Sequence, residues 1–360
     1  MTEAVNVLSI SGGKDSTAMW ILATREMGVE VTPVFADTGN EHPLTYEYVD
    51  YLESVLGPIK RVVPDFSEQI AKKREYVMKH WPDKLMRDKP GRWVYVGDSI
   101  NEEQCDEIEM PSHEPVDPYK PYRGVDDWKW EPTIKGKSAE EANEIVERTL
   151  KYLHPTGNPF LDLCLWKGRF PSTKARFCTQ YLKIIPIAEQ VYFPLFDQGY
   201  HVISWQGVRA AESPARAKLP EREDTPEGYE VYRPLLKWSA KDVFDIHKKH
   251  GIKPNPLYLQ GMSRVGCMPC INVNKAELFE ISRRFPEEIA RIEEWEKLVA
   301  QVSRRGDSSF LPALENDDKK NINDWVDWSK TSYGGHQIDL LKMIEIESAP
   351  VCSSVYGLCE

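Results

Sequence analysis

The hexapeptide Ser11-Gly12-Gly13-Lys14-Asp15-Ser16 constrains this chain more than any other stretch. It follows the apolar run 5–10 and leads into 17–27, whose apolar residues suit a helix packed on a sheet. Strand, glycine loop and helix in that order bring backbone N–H groups and a helix N-terminus around an anion. Two adjacent glycines let the main chain approach phosphate closely. Lys14 adds a point charge, Ser11 and Ser16 add hydroxyl donors, and Asp15 is a carboxylate able to hold Mg²⁺ against phosphates. The spacing is not that of the Walker loop, which has four residues between its first glycine and Gly-Lys.

Strands are expected over 31–36 and 59–63, with a helix over 42–56 stopped by Gly57-Pro58. Pro33 is awkward in a central strand. Asp65 and Glu68 have capping-box spacing and open a helix to about His80. This alternation predicts an α/β fold with a parallel, doubly wound sheet and right-handed crossovers. Ligands of such sheets sit beyond the carboxyl ends of the strands, where the hexapeptide and Asp37-Thr38-Gly39 both fall. The pattern breaks at Pro82. From there to about Lys137 the chain is rich in Pro, Asp, Glu and Trp, as in an inserted lobe or lid. Trp93, Trp128 and Trp130 are expected to pack there rather than stack on bases.

A helix follows over 138–153, then one over 180–196 that Pro186 bends, a strand over 201–205 and another over 231–235. Ser239 with Asp242 caps a helix that Gly251 closes, and 275–303 reads as one long helix or a pair. The stretch 304–332 reads as loop with a Trp325/Trp328 anchor, and 338–346 as a last apolar segment. The expected domains are the first half of a nucleotide-binding core (1–81), the insertion (82–160), the second half of the core (161–275) and a C-terminal helical region with a cysteine tail (276–360).

The net charge of −11 opposes broad attraction to nucleic acid but permits a local basic groove. Lys174, Arg176, Lys183, Arg209, Arg216, Lys218 and Arg264 cluster near recognisable turns, and arginine suits phosphate or sulfate. No apolar run approaches ~20 residues, so no membrane span is expected. Seven cysteines, an odd number, and no export signal over 1–10 argue for reduced thiols and a cytoplasmic setting. Cys267 and Cys270 have the spacing of two thiolates on one metal centre, or of a redox dithiol. Cys178 is the best third ligand, Cys359 or Cys352 the fourth, and Cys164 a weaker candidate in its apolar Leu-Cys-Leu setting. Cys105 reads as incidental. Spacing alone does not separate zinc from iron–sulfur. The eight histidines form no ligand pattern and read as surface or core residues.

The hexapeptide resembles the pyrophosphate-binding loop of the PP-loop ATP pyrophosphatases. Further stretches strengthen the likeness: Asp37-Thr38-Gly39 with Thr45-Tyr46; Cys178 with Leu182-Lys183 and Pro186; Gly207-Val208-Arg209 with Glu212-Ser213 and Arg216; and Asn255-Pro256-Leu257-Tyr258 through Gly261 to Cys267 and Cys270. Together they resemble the phosphoadenosine phosphosulfate (PAPS) reductase family of that superfamily, and are similar also to the ATP pyrophosphatase subunit of DNA phosphorothioation systems.

The resemblance implies an adenine nucleotide beside the second strand, held by Ser11, Gly12, Gly13, Ser16, Asp37, Thr38, Gly39, Gly207, Arg209 and Arg216. Lys14 and Asp15 would act on its phosphates with Mg²⁺. It also implies a [4Fe–4S] cluster where the cysteines suffice. Three departures bear on the reaction. Phe177 precedes Cys178 where iron–sulfur reductases carry two adjacent cysteines. The tail ends Gly357-Leu358-Cys359-Glu360 rather than Glu-Cys-Gly. The phosphate loop is intact, whereas many reductases have a degraded one. An intact loop points to ATP, with an acceptor adenylylated, pyrophosphate released and sulfur replacing the activated oxygen. The alternative is reduction of adenylyl sulfate or its 3′-phosphorylated form to sulfite, with Cys352 or Cys359 as nucleophile and a thioredoxin-like reductant. A third reading is a nucleotide-binding subunit that does not turn over. The acceptor, whether DNA, tRNA or a small metabolite, the sulfur donor and the oligomeric state stay open.

Overall fold

The computed structural model describes residues 3–95, 128–131, 133–311, 321–332, 354–356 and 358. Cys105, Cys352, Cys359 and the segment 338–346 lie outside the described residues. The chain forms two compact units, one of residues 1–70 and 153–360, the other of 71–152.

The first unit is built on a six-stranded sheet of order β3-β2-β1-β6-β8-β7. Strands β1 (Ala4–Ile10), β2 (Thr32–Ala36), β3 (Lys60–Val62), β6 (His201–Trp205) and β8 (Glu230–Tyr232) pair in parallel. β7 (Arg222–Asp224) runs antiparallel along β8, an edge absent from the sequence reading, which also carried β8 on to residue 235. Successive residues of β1 feed opposite faces. Leu8 packs with Trp20, Met19, Phe35 and Leu52, and Val7 with Val34, Val62, Val191 and Val202. Both faces are therefore covered, as a doubly wound parallel sheet requires. Each fully buried side chain of this kind contributes about 1.5–3 kcal/mol. β1 lies between β2 and β6, so the strand order reverses there and opens a crevice at the carboxyl ends.

Pro33 is tolerated inside the sheet because β3 opposes only Val34, Phe35 and Ala36. Helix α1 (Lys14–Ile21) continues through 22–26 to Gly28, whose φ of 62° ends it. α2 (Pro43–Leu56) is capped by His42, whose imidazole accepts from Leu44 N–H. α3 (Ser67–Met86) passes straight through Pro82, against the expected stop near His80. A proline removes one donor from a helix; the turn beyond is anchored where Lys137 N–H donates to Leu85 O.

The second unit also holds β4 (Arg92–Tyr95) and β5 (Trp128–Glu131), an antiparallel ribbon pairing Trp93 with Trp130, and α4 (Ala139–Tyr152). In the first unit, α5 (Pro159–Lys167) was missed because its Pro-Phe-Leu-Asp-Leu-Cys-Leu-Trp run is apolar without a helical period. Residues 177–197 form one helical run, α6, with wider π turns at 180–184 and 188–192. Then come α7 (Ala240–Lys249), α8 (Lys275–Arg284), α9 (Pro286–Val302) and α10 (Ile322–Ser329), the last carrying Trp325 and Trp328. Among the described residues no helix is long and apolar enough to cross a membrane.

Candidate functional site

The loop between β1 and α1 is held from beneath. Gly12 adopts φ 70°, and a Cβ there would stand 2.8 Å from Thr45 Cγ2. Asn255 Nδ2 donates to Gly12 O at 3.1 Å, and Lys14 N–H donates to the Tyr258 hydroxyl at 2.9 Å. His247 Nε2 lies 3.0 Å from Lys14 O. Ser16 Oγ donates to Gly13 O at 3.0 Å and accepts from Ser11 N–H at 3.2 Å. Gly207 runs so close that a Cβ would meet Asp15 C and Ser16 N at 3.2 Å.

Two cations converge on Asp15. Lys14 Nζ lies 2.7 Å from Oδ2, and Arg209 Nε donates to Oδ1 at 2.5 Å. Lys14 and Arg209 are both buried. Two rings flank the Lys14 ammonium, with centroids at 5.6 Å for Tyr258 and 5.1 Å for Tyr356. Tyr356, from the C-terminal tail, donates its hydroxyl to Ser263 O at 2.6 Å.

These groups face a cleft of about 1030 Å³. Ser11, Gly13, Lys14, Asp15, Ser16, Gly207, Arg209 and Arg216 line it, as do Arg176, Lys183 and Arg264. Its apolar part includes Phe35, Ala36, Ile187 and Tyr192. Gly12, Asp37, Thr38 and Gly39 are not among its lining residues. They build the turn after β2 instead. Asp37 Oδ1 accepts from Gly39 N–H at 2.9 Å and from Tyr46 OH at 2.7 Å, while Thr38 N–H and Oγ1 both donate to Glu41. Gly39, at φ 73°, lies where a Cβ would stand 2.7 Å from Pro159 Cδ. Glu41, which the sequence reading did not single out, reaches the cleft.

The turn after β2 also carries the cysteine loop. Met268 N–H donates to Asn40 O at 2.7 Å, and Asn40 Nδ2 donates to Pro269 O at 3.1 Å. Arg291 of α9 clamps the joint, donating to Asn40 Oδ1 at 2.8 Å and Met268 O at 2.7 Å. Cys267 Sγ lies 3.3 Å from Thr38 Oγ1 and 3.8 Å from Glu41 Oε1. Burial, then the Glu41 charge, pushes the Cys267 thiol up to about 12. Burial and the neighbouring Cys270 raise that of Cys178. Burial disfavours the Lys183 charge, but Cys267, Glu41, Cys270 and Cys178 outweigh it and raise its pKa. Cys164, wholly buried in α5, has its thiol pushed far up by burial and is inert.

Three expected thiols thus act electrostatically on one cation, which would offset the charge of thiolates. The donors suit a soft metal centre in kind. The set is not closed: among the described residues no group of three or more Cys, His, Asp or Glu side chains could hold a metal ion. Cys352 and Cys359, the expected tail ligands, lie outside the described residues.

The sequence model of the phosphoadenosine phosphosulfate reductase domain matches residues 5–108 and 162–273. The chain belongs to this family. The match takes in the phosphate loop, the turn after β2, α6 and the cysteine loop. The chain is 46% identical to the "Uncharacterized 37.8 kDa protein in gpa 5'region" of Escherichia phage 186, over 99% of this chain and 97% of that protein. It is 43% identical over 65 residues to adenosine 5'-phosphosulfate reductase of Allochromatium vinosum, 18% of this chain and 25% of that enzyme. The Streptomyces coelicolor enzyme of the same name is 35% identical over 95 residues, 26% of this chain and 37% of its own. The chain therefore matches only a quarter to about a third of these reductases' length. Among solved structures, the PAPS reductase of Candida auris, phosphate complex, is similar with a TM-score of 0.35 at 14% identity, over 73% of this chain and 80% of that one.

Sequence reasoning passed over His247, Glu41, Arg291 and Tyr356. His247 left one trace: it shares an apolar helical stripe with Val243 and Ile246, at i, i+3 and i+4, an unusual place for an imidazole.

Proposed function

We propose that this member of the PAPS reductase family cleaves ATP between its α- and β-phosphates, adenylylating an acceptor ahead of sulfur transfer. The supporting observation is the intact loop, with Lys14, Asp15 and Arg209 converging in one cleft. The β- and γ-phosphates would compete with Asp15 for Lys14 and Arg209. Asp15 would hold Mg²⁺, which neutralises charge on the phosphates; a single carboxylate plus phosphates is an ordinary magnesium donor set. An acceptor oxygen would attack the α-phosphorus, forming one P–O bond as the bridge to the β-phosphate breaks and pyrophosphate leaves. The protein contributes positioning and charge stabilisation. Cys178, Cys267 and Cys270, with Cys359 as fourth ligand, would hold a [4Fe–4S] cluster that supplies redox or sulfur-handling chemistry beside Lys183.

Pyrophosphate release from ATP by protein purified without oxygen tests this. Asp15→Ala should lower the rate about a hundredfold; equal rates would remove the role given to the loop. The local identity to adenosine 5'-phosphosulfate reductases favours a second reading, reduction of a sulfonucleotide. Sulfite formed from adenylyl sulfate with thioredoxin, without pyrophosphate from ATP, would select it.

A further inference from the structure

His247 sits on α7 at 1% exposure, directly under the phosphate loop. Its Nε2 lies 3.0 Å from the Lys14 carbonyl oxygen. A carbonyl only accepts, so Nε2 carries the hydrogen and Nδ1 is bare. Nδ1 is buried and makes no hydrogen bond of ordinary geometry, although the Ile252 backbone also acts on the ring. Burial holds the ring's pKa below the usual histidine value against the opposing pull of the Lys14 and Ile252 backbone and the Asp15 charge, so it is neutral near pH 7.

In a trans peptide the C=O of one residue and the N–H of the next point opposite ways. Lys14 opens α1, so its carbonyl already runs along the helix; the bond from His247 holds that first peptide of the helix against α7, with Asp15 N–H directed the opposite way, towards the loop. Asn255 treats the preceding turn alike, through Gly12 O. The Lys14–Asp15 peptide carries two side chains that line the cleft, and Asp15 among them meets Arg209.

We propose that His247 is a positioning residue for the phosphate loop: as a neutral donor it anchors the Lys14–Asp15 peptide and so places the Lys14 ammonium and the Asp15 N–H for an anion. This rests on the reading of the loop as a phosphate site. It assigns a role in that site to a histidine on a different element, far along the chain.

The test is calorimetric titration of the full chain with magnesium pyrophosphate, comparing wild type, His247→Phe and His247→Gln, with a thermal melt of each. The Gln amide nitrogen reaches roughly where Nε2 stands; Phe fills the space without a donor. The Phe variant should bind about tenfold more weakly, the cost of one lost hydrogen bond, and Gln should restore affinity to within about twofold. Should His247→Phe fail to fold, His247→Asn replaces it, since its amide stops short of the Lys14 carbonyl. Unchanged affinity in the donor-free variant overturns the assignment, and so does equal weakening by Gln, which would make ring volume the cause. A wild type that ignores pyrophosphate overturns the loop reading itself, and the role of His247 with it.

Discussion

His42 caps α2 through a lone pair, so its proton count decides whether the cap exists. Leu44 N–H donates to Nδ1 at 3.1 Å, with the Phe285 ring at 4.3 Å. Burial lowers the His42 pKa; Glu287 opposes this and Arg291 adds to it. With the folded pKa below the unfolded one, the unfolded chain takes up the proton first. The stability His42 contributes is thus complete above about pH 6.5 and is lost as pH falls through the folded value. His42→Asn keeps a capping acceptor that does not titrate. Denaturant midpoints from pH 7.5 to 5 should fall for wild type and fall less for His42→Asn, by about 1 kcal/mol at the acid end. Parallel pH profiles would show that the cap does not titrate. At this scale the sequence was readable where a residue's type implies its neighbour, as for Lys14 with Asp15. It was unreadable for His42 and His247, because an imidazole's role depends on which carbonyl or N–H the fold brings to it.

Among the elements, the joint between the turn after β2 and the cysteine loop is tied by backbone and side chain alike. Arg291 reaches it from α9 with two hydrogen bonds and pairs with Glu288 at 2.5 Å. Arg291→Met keeps the aliphatic stem and removes the clamp. It should cost about 2–4 kcal/mol in denaturant unfolding, since Glu288 and two acceptors lose a charged partner. Alkylation of Cys267 and Cys270 in the variant should quicken; unchanged thiol reactivity would show that the loop holds without Arg291. Strands β1, β2, β3 and β6 could be read from apolar runs beside glycine turns. α5 and β7 could not. The first is apolar on all sides because Phe160 and its neighbours are buried, stacked in part on Trp295. The second is a three-residue edge whose Arg-Glu-Asp sequence has no strand signal of its own.

For the molecule as a whole, the cysteines decide whether one chain carries two chemistries. Anaerobically purified full-length protein should be brown with about four iron atoms per chain, and Cys267→Ser should lose both colour and iron. A colourless, metal-free wild type would leave the thiols as a dithiol or as buried groups. The α/β class was legible because alternating strands and helices leave a strong periodic trace. The two-unit division was harder to see, since it falls between Ile70 and Ala71, inside α3, where no Pro or Gly marks it. The turn after β2 has a last consequence. Its backbone is latched to the cysteine loop on one side and to α5 on the other, through Asn158 Nδ2 on Gly39 O at 2.6 Å. The family match lapses between 109 and 161, so length differences among relatives should fall there, ahead of the Asn158 latch. A single inserted residue between Asp37 and Glu41 would unhook three segments at once, so length variation among relatives should stop there.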